Sequence, residues 1–289
     1  MFRGVYAATS GMIAAGRKQQ MLTNNLANAE TPGFKQDQTV LRAFPDILIQ
    51  RIRDEKGLNV QGKPSFPGNT KLGVMHTGVY AQEGILSFGQ GTLQSTGFAL
   101  DFALVDEGVV NPATNAKGSL FFAVQKSDGE IRYTKNGQFT ISPDGYLTTS
   151  DGYYVLSQAG QPIQVNDPES LQVMEDGRMF QYNAAGQPQE IGRLMIAFTD
   201  EPNGLVKEGH GLLRWAGAEN GQPQDMTTLG FAPGSFQVMQ GFIEGSNVDV
   251  TQTMTDMMST YRLFEANQKV LQAYDRSMEK TANEVGRVG

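Results

Sequence analysis

The side chains that could carry out catalysis are few in this sequence. The chain has no cysteine, which excludes thiolate nucleophiles, disulfides and cysteine-ligated zinc. Its two histidines, His76 and His210, belong to no nucleophile–base–acid pattern and lack the i, i+4 spacing of a helical metal site. Asp106 and Glu107 form the nearest carboxylate pair, and adjacent acids in a loop are usually solvated. No catalytic site and no cofactor are therefore predicted.

Glycine-containing motifs point to turns rather than to ligand binding. Asp-Gly pairs occur at 128–129, 144–145, 151–152 and 176–177, and none has the ligand spacing of a calcium loop. The stretch FGQGTLQSTG at 88–97 contains Gly-x-Gly but does not open a helix after a strand, so it is not a phosphate-binding loop. These motifs predict tight turns.

Composition indicates a globular chain of one large or two modest domains. It has 289 residues, 39% of them hydrophobic, and no apolar run approaches the roughly 18 residues that a spanning helix needs. The net charge of −7 argues against a nucleic-acid partner, which would require a basic surface. In the N-terminal stretch, Thr9, Ser10 and Gly11 interrupt any apolar core, so no cleaved signal peptide is expected.

Long helices are predicted at both ends, because apolar residues recur there in alternating steps of three and four. The N-terminal seam comprises Val5, Ala8, Met12, Ala15, Gln19, Leu22, Leu26 and Ala29. The C-terminal seam comprises Val250, Met254, Met257, Tyr261, Phe264, Gln268, Leu271, Asp275, Met278, Ala282 and Val285. Pro32 and Gly33 end the first helix. Ser246 and Asn247 can cap the second, and Asp249 suits its first turn.

The pattern leaves the partner of these seams open. An amphipathic helix most often packs on the core of its own protein. The first seam, however, contains three alanines and a glutamine, and a buried Val, Leu or Met contributes only about 1.5–3 kcal/mol, so a bare pair of helices would be marginal. Small residues allow several helices to approach closely, which suits a bundle completed by neighbouring chains.

Between the helices, short β-rich runs alternate with turn signals. From residue 121 these runs are FFAVQ, EIRYT, QFTIS, YLTT, YYVLS, IQV, LQVM, RMFQY and RLMIAF. The Asp-Gly pairs and Asn136-Gly137 separate several of them and tolerate the positive φ of hairpin turns. A strand about every 8–12 residues predicts an antiparallel β domain.

The predicted fold class is α+β, with long terminal helices in a coiled-coil-like bundle and a central antiparallel all-β domain joined by extended linkers. The expected boundaries are 1–32 for the N-terminal helix, 33–74 for an extended linker, 75–235 for the β domain, and 236–289 for a return linker and the C-terminal helix. Within the first linker, RAFPDILIQRIRD can form a short amphipathic helix.

Three stretches resemble the flagellar rod and hook protein family. MLTNNLANAETPGFK at 21–35 is similar to the N-terminal signature of the family, and GFIEGSNVDVTQTMTDMMSTYRLFEANQKVLQAYD at 241–275 is similar to its C-terminal signature. YTKNGQFTISPDGYLTTSDGYYVL at 133–156 resembles part of the β domain of rod proteins. The resemblance is to the distal-rod type of Gram-positive bacteria, and 109–119 looks inserted relative to that pattern.

The resemblance implies a structural subunit of the flagellar basal-body rod, in the distal rod or the rod–hook junction. Such a subunit would polymerise through its terminal helices into a helical tube that transmits torque and encloses the export channel. The implied partners are copies of itself, other rod and hook proteins and the flagellar export apparatus, with no nucleic acid, small-molecule substrate or membrane insertion. The expected location is the basal body, outside the cytoplasmic membrane, after export without a cleaved signal peptide.

The seams and signatures together give the expected subunit-interaction residues. Asn24, Asn25 and Asn28 flank the first seam, where a neighbouring helix could exchange hydrogen bonds with their amides. The full set is Val5, Met12, Leu22, Asn24, Asn25, Leu26, Asn28, Thr31, Pro32, Gly33, Phe34, Ser246, Asn247, Val248, Asp249, Val250, Met254, Met257, Tyr261, Phe264 and Leu271.

Two other functions remain open at the level of sequence. An exported wall hydrolase carried on rod-like ends would give a reason for segment 109–119, but it requires a catalytic constellation. A junction or cap protein that does not polymerise would differ in copy number rather than in sequence pattern.

Overall fold

The structure is a computed structural model that describes residues 2–45, 47–51, 70–75, 78–106, 108–112, 114–126, 128–182, 187–218, 221–226, 228–229, 231 and 235–285. The chain divides into two compact units. The terminal unit comprises Met1–Asn24, Gln38–Gly84 and Thr251–Gly289. The β unit comprises Asn25–Asp37 and Ile85–Val250.

Two long helices run antiparallel in the terminal unit. They are α1 (Phe2–Ala27) and α2 (Val250–Val285). Gly4 faces the ring of Tyr274, and Gly11 faces the side-chain amide of Asn267, so the contacts advance along α1 as they retreat along α2. A Cβ atom added to Gly4 would lie 2.0 Å from the Tyr274 hydroxyl oxygen. Glycine is therefore required at that position for the two helices to approach as closely as they do.

The buried face of α2 is displaced by one residue from half of its predicted seam, whereas the predicted seam residues of α1 are all buried or half-buried. On α1 the buried and half-buried positions include Gly4, Ala8, Gly11, Ala15, Lys18 and Leu22. On α2 they include Thr253, Met257, Thr260, Phe264, Asn267, Leu271, Tyr274 and Met278. The heptad spacing is thus present, but on α2 Thr253 and Thr260 are buried where the seam placed Met254 and Tyr261.

The predicted coiled-coil-like bundle is wrong, although the α+β class is right. The described residues contain two α-helices, whereas most of the remaining described chain is in strands and turns. Val250, Met254 and Tyr261 of the predicted C-terminal seam are 40%, 47% and 50% exposed. The seam was assigned from apolar residues alone, whereas the helices meet where small residues permit the closest approach.

Four strands complete the terminal unit and its connections. They are β1 (Asp37–Ala43), β2 (Ile47–Arg51), β3 (Thr70–Met75) and β4 (Val79–Leu86). β1 pairs with β4, and β2 pairs antiparallel with β3. The backbone N–H of Val79 donates to Ser10 Oγ at 3.3 Å, which ties β4 to α1. The described part of RAFPDILIQRIRD therefore lies in β1, β2 and their connection, and not in a helix; its residues 52–54 lie outside the described residues.

Sixteen strands form the β unit. They are β5 (Leu93–Ser95), β6 (Phe102–Val105), β7 (Ser119–Gln125), β8 (Ile131–Thr134), β9 (Phe139–Ile141), β10 (Leu147–Thr149), β11 (Tyr154–Val155), β12 (Leu171–Val173), β13 (Arg178–Tyr182), β14 (Pro188–Arg193), β15 (Ile196–Thr199), β16 (Leu205–Gly209), β17 (Leu212–Trp215), β18 (Gln224–Asp225), β19 (Gln237–Gln240) and β20 (Phe242–Glu244). The largest sheet has the order β16-β17-β8-β7-β11-β10-β9, with β15 between β7 and β18. Smaller antiparallel sheets join β12-β13-β14, β6-β19 and β5-β20.

Strand β7 is the centre of the core. Its side chains alternate between two apolar clusters, because successive residues of a strand point to opposite faces. Phe122 and Val124 lie in the larger cluster, and Phe121 lies in the smaller one with Tyr133 and Leu213. The continuous apolar run LFFAV is thereby buried on both faces, as such runs are in sheets covered on both sides.

The antiparallel β domain is confirmed, with differences at particular turns. Gly145, Gly152 and Gly177 have φ of 82°, 84° and 82° in the hairpins β9–β10, β10–β11 and β12–β13. The hairpin expected at Asn136-Gly137 is wrong, since β8 pairs with β7 and β17 rather than with β9. Gly137 is needed instead for packing, because an added Cβ would lie 1.7 Å from the carbonyl oxygen of Phe102.

An ion-pair network joins β8 to β16. Glu208 accepts hydrogen bonds from Arg132 and, at 3.1 Å, from Lys126. Glu130 accepts from Arg132 at 2.6 Å. Hydrogen bonds from Arg132 and then Lys126 lower the pKa of Glu208 to about 2, and the bond to Glu208 raises the pKa of Arg132.

We expect Gly4→Ala to destabilise the terminal unit by about 1–3 kcal/mol, because the added methyl group collides with the Tyr274 ring. Gly16→Ala is the matched control in the same helix. No atom lies within 4 Å of its added Cβ, so better helix propensity should stabilise it by about 0.5–1 kcal/mol. Thermal unfolding followed by helical circular dichroism measures both, and equal stabilisation by the two variants would contradict the helix contact.

The Glu208 network should contribute stability above about pH 4.5 that is lost as pH falls towards 2. The sign follows because the folded state holds the Glu208 carboxylate ionised below its ordinary pKa of 4.5, so the unfolded state binds the proton first. Glu208→Gln should flatten the decline of melting temperature over this interval. Glu190→Gln, at an exposed position of β14, is the control, and an unchanged decline in Glu208→Gln would contradict the assignment.

Candidate subunit-interaction site

Residues of the two signatures meet within the β unit. We call residues 28–37 the connector and residues 241–249 the return segment. The backbone N–H of Gly33 donates to the carbonyl oxygen of Glu244 at 2.7 Å. The backbone N–H of Gln36 donates to Asn247 Oδ1 at 2.8 Å. The connector and the return segment are therefore joined through backbone groups, although they lie at opposite ends of the sequence.

The Asn247 side chain binds two separate stretches of chain, the connector and residues 87–89. Besides accepting from Gln36, its Nδ2 donates to the carbonyl oxygens of Ser87 at 2.8 Å and Gly89 at 3.1 Å. An amide side chain offers donors and an acceptor at once, so it can satisfy backbone groups of both kinds. Asn247 therefore fixes the connector and residues 87–89 to the return segment.

The connector packs closely on the turn after β8. Gly33 has φ of 70°, and an added Cβ would lie 2.4 Å from the backbone nitrogen of Asn136. The ammonium group of Lys207 lies 4.0 Å from the centroid of the Phe34 ring, in a cation–π contact. The same group donates to the carbonyl oxygen of Lys35 at 2.8 Å. The Pro-Gly break of the first signature thus serves close docking as well as helix termination.

Four buried charged side chains lie behind these contacts, and we call them the buried charge cluster: Lys35, Asp106, Lys135 and Glu244. Lys35 Nζ donates to Glu244 Oε1 at 2.6 Å, and Lys135 Nζ donates to Asp106 Oδ2. Lys135 Nζ also lies 3.6 Å from Glu244 Oε2. The four side chains are between 1% and 5% exposed. Removing one partner of such a pair typically costs about 3–5 kcal/mol.

The surroundings of Lys35 change the pKa of its ammonium group. Desolvation by burial lowers the pKa of Lys35, and the positive charge of Lys135 lowers it further. The negative charge of Glu244 opposes both effects, as does its hydrogen bond to Lys35. The charged form of Lys35 therefore depends on Glu244.

Asn25 and Asp37 also form a contact within the β unit. Asn25 Nδ2 donates to the carbonyl oxygen of Asp37 at 2.8 Å, and the Asp37 N–H donates to Asn25 Oδ1 at 3.0 Å. Asn25 is 3% exposed. Its side chain is thus used inside the chain, whereas a role in contacts between subunits stays a prediction.

The other predicted interaction residues are distributed by exposure. Leu22 and Val248 are buried. Those half-buried are Val5, Met12, Leu26, Asn28, Pro32, Phe34, Ser246, Met257, Phe264 and Leu271, and those exposed are Asn24, Thr31, Asp249, Val250, Met254 and Tyr261. The exposed apolar members on α2 remain accessible to a neighbouring molecule.

Sequence reasoning missed the charges at this junction. Lys35 and Glu244 are inside the quoted signatures, but neither was assigned a role. Asp106 was expected to be solvated, which is wrong, because its side chain is 5% exposed and paired with Lys135. A lysine immediately after Thr-Pro-Gly-Phe and a lone acid in GFIEG give no indication from sequence that they meet.

Nothing in the described part of the chain resembles a catalytic or metal centre. His210 is exposed, and its Nδ1 lies 3.2 Å from Asp151 Oδ1 on the surface. His76 lies outside the described residues. No group of three histidine or acidic residues within metal-binding reach occurs among the described residues. Neither described helix is long and apolar enough to cross a membrane.

Segment 109–119 forms a closed loop. Val110 and Lys117 form a β-bridge. Asp200 Oδ2 accepts hydrogen bonds from Asn111 Nδ2 at 3.1 Å and from Thr114 Oγ1 at 2.9 Å. These contacts hold the loop against the end of β15.

In this fold the segment that follows α1 and the segment that precedes α2 meet in one β domain, and this arrangement defines the class of the protein. Comparison with known families gives that class a name. The model described as Flagella basal body rod protein matches residues 5–35, the Flagellar hook protein FlgE/F/G D1 domain matches 116–181, and the Flagellar basal body rod FlgEFG protein C-terminal matches 239–284. The matched ends contain most of the connector and the whole return segment.

Relatives that match over nearly their whole length indicate the same family. The chain is 40% identical to the flagellar hook-basal body complex protein FlhO of Bacillus subtilis (strain 168) over 289 residues, which cover the whole of both chains. It is 30% identical to the flagellar basal-body rod protein FlgG of the same organism, covering 98% of this chain and 99% of FlgG. It is 29% identical to the rod protein FlgF of Salmonella typhimurium (strain LT2), covering 99% and 98%. The chain therefore belongs to the flagellar basal-body rod and hook family of structural proteins.

We expect Asn247→Ala to lower the free energy of unfolding by about 2–4 kcal/mol, because it leaves backbone groups of Gln36 and of residues 87–89 without partners. Gln138→Ala, an exposed amide in the same unit, should change it by less than about 0.5 kcal/mol. Urea unfolding followed by tryptophan fluorescence compares them. Similar values for the two variants would show that Asn247 does not fix the junction.

Proposed function

We propose that this protein is a structural, non-enzymatic subunit of the flagellar rod or the rod–hook junction. The observation that carries the proposal is membership of the rod and hook family over the full length of the chain. We further propose that it assembles with copies of itself and with other rod and hook proteins. Repeated head-to-tail contacts of this kind generate open helical assemblies.

Exposed apolar side chains support contacts through the terminal unit. Of the seventeen large hydrophobic residues that are exposed among the described residues, ten lie in this smaller unit. They are Tyr6, Ile13, Leu41, Phe44, Tyr80, Met254, Met258, Tyr261, Leu263 and Val270. Apolar groups concentrated on one part of a surface commonly mark sites of protein association.

Helix α2 presents the most regular part of this surface. Val250, Met254, Met258 and Tyr261 are spaced by four, four and three residues, so they lie on one side of the helix. Their exposed fractions are between 40% and 58%. Methionine and tyrosine are enriched at protein interfaces relative to other surfaces, because they adapt to or anchor a partner. We propose that this side of α2 contacts the neighbouring subunit.

Location and export are further parts of the proposal. Family membership places the chain in the flagellar basal body. We propose that the chain reaches a position outside the cytoplasmic membrane through the flagellar export apparatus, without cleavage of a signal peptide.

The double variant Met254→Gln/Tyr261→Gln tests the proposed contact. Both side chains are exposed, so the free energy of unfolding should change by less than about 0.5 kcal/mol per site, while apolar contact with a neighbour is lost. In a strain lacking the native gene, the variant should restore motility poorly and be scarce in isolated basal bodies, although it is expressed normally.

The control is Met174→Gln/Tyr182→Gln, which makes the same chemical change at sites in the β unit that are 48% and 39% exposed. It should restore motility fully. Normal motility with the α2 variant would contradict the α2 contact. Full motility in the strain lacking the gene altogether would contradict the structural role itself.

A further inference from the structure

The buried charge cluster is balanced only when both terminal segments are in place. Lys35 comes from the connector and Glu244 from the return segment, whereas Asp106 follows β6 and Lys135 follows β8. Together they supply two ammonium groups and two carboxylates. The four groups are mutually paired in a site where each is at most 5% exposed.

Docking of one segment alone would unbalance this site. With the connector alone, Lys35 would lie beside Lys135, and Asp106 would be the single carboxylate. With the return segment alone, Glu244 would lie beside Asp106, and Lys135 would be the single ammonium group. Either state leaves a charge uncompensated at a buried position, which is strongly unfavourable.

The backbone hydrogen bonds also require that both segments are docked. The Gly33 N–H donates to the carbonyl oxygen of Glu244, and the Gln36 N–H donates to Asn247 Oδ1. Glu244 Oε1 also accepts from the Gly91 N–H at 2.8 Å. The return segment thereby positions residues 89–91, where the carbonyl oxygen of Gly89 accepts a hydrogen bond from Lys35 Nζ. If one segment leaves, the other loses hydrogen bonds as well as charge compensation.

We propose that the buried charge cluster is a lock that holds the connector and the return segment only together, so that residues 28–37 and 241–249 dock and undock as one cooperative unit. The connector then stays undocked until the return segment, more than 200 residues later in the chain, becomes available. A partner that holds residues 241–249 in the undocked state therefore also releases residues 28–37 from their docked position. This inference concerns the single chain and does not depend on the proposed function.

Hydrogen exchange of the wild-type protein, read by mass spectrometry at increasing low urea concentrations, is the first test. The lock predicts that peptides covering 30–37 and 241–247 share one opening free energy and one urea dependence, with exchange rates that agree within about twofold after correction for sequence. Peptides from β7 should open only with global unfolding. Different opening free energies for the two segments would overturn the proposal.

Lys207→Met provides a sharper second test, because Lys207 contacts the connector at Lys35 O and Asp37 Oδ2 but belongs to neither docking segment. The lock predicts faster exchange in 241–247 by the same factor as in 30–37. Independent docking predicts a change in 30–37 alone. Arg178→Met, which removes a surface ion pair with Asp176, is the control and should leave both segments unchanged.

Paired substitutions test whether charge balance causes the cooperativity. Lys35→Met and Glu244→Met should each increase exchange in both segments by about 100-fold or more, because each leaves one charge uncompensated. The double variant restores balance and should exchange more slowly than either single variant. An effect of the double variant equal to the product of the two single effects would overturn the role of charge. If a single variant does not fold, the wild-type and Lys207→Met measurements decide the matter.

Discussion

The buried ion pair between Lys35 and Glu244 is the interaction on which the docking of the connector and the return segment depends. Glu244 is the last residue of β20, and the same residue receives Lys35, the Gly33 N–H and the Gly91 N–H through its side chain or its carbonyl oxygen. Lys35 in turn donates to Gly89. Two residues thereby fix three stretches of chain that are far apart in sequence. Gly33 and Gly91 permit this approach, because an added Cβ would lie 2.4 Å from the Asn136 nitrogen and 2.1 Å from the Gly245 carbonyl oxygen, respectively.

The two units differ in how completely they bury their apolar side chains. In the β unit, β7 has apolar neighbours on both faces, and Phe102, Phe122 and Leu147 are fully buried. In the terminal unit, the helices meet through Gly4, Gly11 and alanines, which bury little apolar area per residue. Several larger side chains of α2, among them Met254, Met258 and Tyr261, are exposed. A chain with one complete core and one incompletely covered unit is suited to a subunit whose terminal part is covered in an assembly.

The sequence predicted regular elements better than it predicted contacts between them. The terminal helices, the β domain and most of its hairpins followed from periodicity and from Asp-Gly turns, which are local signals. The buried face of α2 was misassigned by one residue in half of its seam, because a count of apolar residues does not reveal where threonine is buried instead. The pairing of β8 with β17, and the meeting of Lys35 with Glu244, depend on contacts between distant residues. Family resemblance correctly selected the two segments that meet, but it did not indicate that they meet each other.

Polar groups at this junction favour one register of the connector against the return segment. Apolar groups would specify the register less strictly, because their contacts are not directional. Asn25 and Asn247 each bind backbone donors and acceptors, so a shift of one residue along the connector would leave both sets unsatisfied. The same shift would move Lys35 away from Glu244, whose Oε2 is the one buried side-chain polar atom in the described part of the chain without a hydrogen bond. That atom has Lys135 Nζ at 3.6 Å, so its compensation comes from charge. Buried ion pairs add little net stability over apolar packing, but a wrong register exposes their full desolvation cost. The junction therefore specifies where the connector enters the β unit and where the return segment leaves it.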